Sequence, residues 1–95
     1  MERTNKPEDQ REFTKVETCV ITRVHEGRRG LVFFDMCING VYINGMTVVA
    51  GSRGDFLSYP AHKGADGKWY NYAFIHISPE DEKRILDMVQ RKLDE

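Results

Sequence analysis

VVAGSRGDFLSYPAHKGADGKWYNYAFIHI, residues 48–77, is the stretch whose reading decides the fold. It reads as a strand, a glycine turn from Gly51 to Gly54, and a further strand from about Asp55 to Tyr59. Pro60 ends that strand, because a proline nitrogen has no hydrogen to give to a sheet ladder. The polar residues 61–68 read as a loop and residues 69–77 as a last strand. That strand alternates Trp69, Asn71, Ala73, Ile75 and Ile77 on one face with Tyr70, Tyr72, Phe74 and His76 on the other. Large apolar groups on both faces imply two covers, one by the core and one by a helix or a partner subunit.

A helix follows with a complete start signal. Ser78 is the N-cap, Pro79 occupies the first helical position, and Glu80, Asp81 and Glu82 favour the positive end of the helix dipole. Asp81, three residues after Ser78, completes a near capping box. Ile85, Leu86, Val89 and Leu93 form the apolar stripe, with Met88 at its margin.

Upstream lie two more strand-like runs. Val16, Thr18, Val20, Thr22 and Val24 alternate along residues 16–25, and residues 31–38 form the second run. Between them Gly27 and Gly30 mark a turn. A hairpin centred near Arg28 puts Val20, Val24, Val32, Phe34, Met36 and Ile38 on one face, and Arg23 with Asp35 on the other, where they could pair diagonally. The same centre sets Cys19 opposite Cys37, so a cross-strand disulfide is conceivable. Two half-buried thiols suit a reducing compartment better. Asn39-Gly40 is the strongest hairpin signal, since both central positions of a type I′ turn need positive φ. Asn44-Gly45 follows too soon for a second tight hairpin and reads as a bulge or kink.

The expected fold is therefore α+β: a bent antiparallel β-sheet of about five strands, a usual sheet size, with one C-terminal α-helix. Residues 1–14 read as a disordered N-terminal arm, too polar to offset the cost of ordering, and residues 15–95 as a single domain. The 95 residues make one small domain whose core dimerisation would help to complete. Net charge is −1, so no global field draws the chain to nucleic acid or membrane, and any polyanion site must be a local patch. With no signal peptide and no long apolar run, the expectation is a cytoplasmic protein without a membrane partner.

The order Gly-x-x-Gly, Phe56, Pro60, basic loop, Asp66-Gly67, aromatic strand and terminal helix resembles the stage V sporulation protein G (SpoVG) family, the septation regulators of bacteria. The resemblance covers roughly residues 41–93, with at most a one-residue shift near Phe74. It implies a small dimeric protein that binds nucleic acid and regulates gene expression, with basic residues at the start of the terminal helix implicated in contact. By position, Arg84 stands where the family typically has Lys, Glu82 where it has the preceding Arg, and Lys63 falls in its basic loop.

Among the residues themselves, cations beside aromatics are the functional signal. Arg53 sits on the glycine turn, Lys63 and Lys68 flank the loop, Trp69 and Tyr70 follow, and Lys83 and Arg84 begin the helix. Cations for phosphates with rings for base stacking are what a sequence-tolerant binder of single strands requires. Solvated loops and a core tryptophan account for the same residues without a ligand. The expected partners are DNA or RNA and a second copy of the chain; the rival reading is a protein-interaction module on the same fold. No nucleophile elbow, phosphate loop or paired carboxylates suggest an enzyme or a small-molecule substrate. His25, His62, His76, Cys19 and Cys37 have no metal-ligand spacing, so neither metal nor cofactor is expected.

Overall fold

The computed structural model describes residues 12–95. The fold is α+β, with its strands divided between two sheets. A four-stranded antiparallel sheet runs in the order β1 (Cys19–Glu26), β2 (Val32–Ile38), β3 (Val41–Gly51), β4 (Gly54–Ser58). A separate two-stranded hairpin follows, β5 (Ala61–Lys63) and β6 (Trp69–Asn71), and then the helix α1 (Pro79–Leu93).

The β2–β3 hairpin turns where expected, with Asn39 at φ 51° and Gly40 at φ 81°. Asn39 has a second task. Its Oδ1 accepts from the amides of Glu17 and Thr18 at 2.7 and 3.1 Å, and its Nδ2 donates to the Lys15 carbonyl at 2.8 Å. One side chain thereby ties the entry to β1 against the tip of the next hairpin.

The β1–β2 register differs from expectation. Glu26 pairs with Val32, centring the turn on Arg29 rather than Arg28, and β1 bulges between Ile21 and Arg23. Ile21 opposite Met36 and Val24 opposite Phe34 both join the core, although three residues apart. A period of two cannot place both on one face without an extra residue, and the bulge supplies it. Val20 therefore falls opposite Cys37 and is exposed rather than in the core. Cys19 pairs with Ile38 on the other face, so the two thiols are not cross-strand partners, and both are free. Burial, with the Cys37 thiol adding, raises the Cys19 pKa.

Asn44-Gly45 forms the expected bulge. Met36 pairs with Ile43 and Phe34 with Met46, so β3 sets an extra residue against Asp35. The Asp35 carboxylate accepts from the freed Gly45 amide at 2.9 Å, which leaves it bound to backbone rather than to Arg23 across the strand.

Phe34, Met36, Ile38, Ile43, Met46, Ile21 and Leu57 make the sheet half of the core, and α1 covers them with Ile85 and Val89. Burying each of these two helix side chains contributes about 1.5–3 kcal/mol. The helix contacts both β1 and β4, the outer strands of the sheet. Its start is capped as the sequence implies, with Ser78 Oγ accepting from the Asp81 amide at 3.1 Å.

The expected long last strand is cut short. Its ladder stops at Asn71, and residues 72–78 run without a partner strand while Ala73, Ile75 and Ile77 pack on the core. Of the expected N-terminal arm, residues 1–11 lie outside the described residues. Phe13 stacks on His76 at 4.6 Å, and the Thr14 amide donates to the His76 carbonyl at 2.6 Å.

A Cβ at Gly40 or Gly54 would meet nothing within 4 Å, so a side chain there costs only through positive φ (81° and 119°). Gly40→Val and Gly54→Val should each destabilise by about 1–2 kcal/mol, read as a lowered urea midpoint. Melting with the wild type would place these turns wrongly.

Candidate nucleic-acid interface

Pro60 and the Asp66-Gly67 turn build the element that carries most of the expected contact residues. Pro60 ends β4, and its carbonyl accepts from the Tyr72 amide at 2.7 Å, which closes the base of a hairpin where sequence suggested only a loop. At the tip, Gly64 and Lys68 are joined by a 2.7 Å backbone bond, and Gly67 takes φ 86°. Asp66 fastens the tip from within: its carboxylate accepts from the Lys68 amide at 3.0 Å and from the Tyr70 hydroxyl.

Two different faces result. Lys63 lies opposite Trp69 and Ala61 opposite Asn71, so these four share one face. His62 lies opposite Tyr70 on the other, with its ring tilted against that of Tyr72 at 4.6 Å. Trp69 is 68 % exposed, which excludes the core role that tryptophan usually takes. Tyr70, Tyr72 and Phe74 are also exposed, so the second face of the segment lacks the cover that the sequence implied.

The hairpin thus unites Lys63, Lys68 and Trp69. Arg53 lies in the turn between β3 and β4, at the far end of β4 from Pro60. Lys83 and Arg84 occupy the first turns of α1, both exposed, and Arg84 sits 3.5 Å from Asp81 in an exposed ion pair worth little. Glu82, standing where the resembled family has Arg, points elsewhere. Its carboxylate accepts from the Leu57 amide at 2.9 Å, tying the helix to the free edge of β4. An acid at this position is therefore a structural joint rather than a reversed charge on a contact surface.

Sequence reasoning gave Arg23, His25 and Phe33 no binding role, weighing Arg23 only as a partner for Asp35 and His25 only as a metal ligand. His25 stacks on Phe33 at 5.4 Å on the sheet face opposite α1, with Arg23 beside them. The signal was available: with Val24, Val32 and Phe34 on the core face, alternation puts Arg23, His25 and Phe33 together on the other. No group of three or more potential metal ligands occurs among the described residues. No helix among them is long and apolar enough to cross a membrane. Comparison with protein-family models, curated proteins and solved structures gives no match.

The bond from Tyr70 holds the Asp66 carboxyl below the usual carboxylate range, with the Lys68 amide adding, and the same bond raises Tyr70. A lowered acid stabilises fully above its ordinary value and loses the contribution as pH falls through the lowered one; the raised phenol loses its contribution as pH rises through its own. Asp66→Asn should return Tyr70 towards the ordinary tyrosine midpoint of about 10, measured by carbon NMR of labelled tyrosine. An unmoved midpoint would mean that the bond is absent in solution. Glu82→Ala should cost about 1–3 kcal/mol by orphaning the Leu57 amide, and Glu82→Gln, which keeps an acceptor, should cost less. Equal melting of both variants with the wild type would remove the joint.

Proposed function

We propose that the protein is a small dimeric nucleic-acid-binding regulator of the SpoVG-like kind, acting in the cytoplasm. The observation that carries this reading is the pairing of Lys63 with Trp69 on one face of the β5–β6 hairpin, the tryptophan largely exposed and preceded in the chain by Lys68. A cation next to an open aromatic ring offers phosphate neutralisation and base stacking together, the two contacts that single-strand binders combine. Arg53, Lys83 and Arg84 add charge at the β4 turn and the helix start. The short core and the exposed Tyr70, Tyr72 and Phe74 support association of two chains, and doubling the patch raises avidity more than any one contact. Two free cysteines, one with a raised pKa, suit a reducing compartment.

The rival class, a protein-interaction module without nucleic-acid binding, draws on Val20, Tyr42 and Phe56, which are exposed on the sheet face away from α1.

Fluorescence anisotropy with labelled single-stranded DNA, duplex DNA and RNA tests the leading reading. Saturable binding should weaken with salt, by a log–log slope of about 0.7 to 0.9 per phosphate contacted. Lys63→Glu combined with Arg84→Glu should flatten that slope and weaken binding to all sequences alike. No saturable binding to any of the three at low salt would leave the interaction module standing. Light scattering should give twice the monomer mass at micromolar concentration; a monomer throughout would remove the dimer.

A further inference from the structure

Two hollows on the sheet face opposite α1 meet at Gly45. One, of about 660 Å³, lies between β3–β4 and the hairpin and is lined by Gly45, Thr47, Ser58, Trp69 and Asn71 among others. The second, of about 370 Å³, is lined by Arg23, His25, Phe33, Asp35 and Gly45. The shared residue has no side chain to divide them. Taken together they mark out a trough-like route from Trp69, over the β3 bulge, to the His25–Phe33 stack.

We propose that this trough is the path of a single-stranded nucleic acid, with unpaired bases stacking on Trp69 at one end and on His25 and Phe33 at the other. The proposal rests on the nucleic-acid reading above and gives it a strand type and a route.

Three observations select this occupant. First, the two ends of the trough carry planar rings, and the stretch between them carries Thr47, Ser58 and Asn71, whose hydroxyl and amide groups suit sugars, phosphates and base edges. Second, the charge is complementary to a polyanion. Arg23 lines one end and Lys63 shares the hairpin face of Trp69 at the other, while the lone carboxylate lining the trough among the described residues, Asp35, already accepts from the Gly45 amide. Third, the acids Glu26, Asp55 and Asp94 gather around a different hollow, beside the C-terminal part of α1. Bases paired in a duplex have no free face to offer, so the trough should distinguish single strands from duplexes.

Trp69 is the only tryptophan in the chain, so its fluorescence reports stacking at one end of the trough without a label. Titration with oligothymidylate should quench it saturably, and a duplex of the same length should quench it far less. Arg23→Glu and His25→Ala, both remote from the hairpin, should each weaken oligothymidylate binding by roughly fivefold or more, the low end of what one stacked base contributes. Arg23→Lys should restore most of the loss, and circular dichroism should show all three variants folded. If Lys63→Glu weakens binding while Arg23→Glu and His25→Ala do not, the trough is overturned and the proposed function stands. If duplex binding falls as much as single-strand binding in the same variants, the route is overturned as well. A change in sedimentation of Arg23→Glu with no change in affinity would make this face a contact between two copies, which also overturns it. If the wild type binds no nucleic acid at all, the broader reading fails first.

Discussion

The Asp35 carboxylate on the Gly45 amide fastens the sheet at the level where its register changes on both sides of β2. Both neighbours of β2 carry an extra residue at this level, Thr22 in β1 and one within Asn44-Gly45 in β3. Each insertion corrects a phase error in the apolar pattern: Ile21 and Val24 are three residues apart, and so are Ile43 and Met46. Without the insertions one member of each pair would turn to water, since side chains alternate strictly along a strand. An inserted residue frees backbone groups, and the acid on β2 takes up one of them, the Gly45 amide. Bulges also increase local twist. Paired bulges thus flank one strand beside Gly45, the residue that lines both hollows on the face away from α1.

The hairpin beyond Pro60 is independent of that sheet and is organised by polar contacts. Asp66, Gly67, Lys68 and Tyr70 fasten the tip, while the Pro60 carbonyl fastens the base. Little apolar surface is buried in it, which is why Trp69 and Tyr70 remain exposed. A binding surface of this kind is preorganised in backbone but open in side chain, a suitable state for rings that must receive other rings. Glu82 does the complementary work on the opposite side, fixing the first turn of α1 to β4 and so setting where Lys83 and Arg84 stand.

Much of this was legible in the sequence, and the reasons are local. Asn39-Gly40, the Asn44-Gly45 bulge, and Ser78-Pro79 each impose their geometry through their own backbone or cap chemistry, and each lies where its signal put it. Residues 73–77 also kept their predicted alternation, with Ala73, Ile75 and Ile77 inward. What failed depended on partners. A ladder needs a second strand, and nothing in residues 72–77 tells that the pairing stops at Asn71. The hairpin arm β5 was hidden because Ala61, His62 and Lys63 have no strand preference, and they pair only because Pro60 and Asp66 turn the chain back. The β1 bulge was masked by the alternation of Val20, Thr22 and Val24, a pattern that looks regular but serves a strand whose phase changes within it. Arg23 and His25 were legible, one as a partner for Asp35 and the other as a candidate metal ligand, but nothing local shows that His25 and Phe33 meet as stacked rings.

The clamp made by Asn39 bears on the order in which a growing chain can fold. Lys15, Glu17 and Thr18 find their partner only once residue 39 has been made, and the backbone of Leu57 waits for Glu82. Ile85 and Val89 are the last fully buried core residues to be synthesised, and they cover a core made by strands earlier in the chain. While the ribosome still holds the last turns of the helix, the apolar side of the sheet faces water. Completion is thus a single late event, and a pause in synthesis before the helix would leave a sticky half-domain in the hands of chaperones.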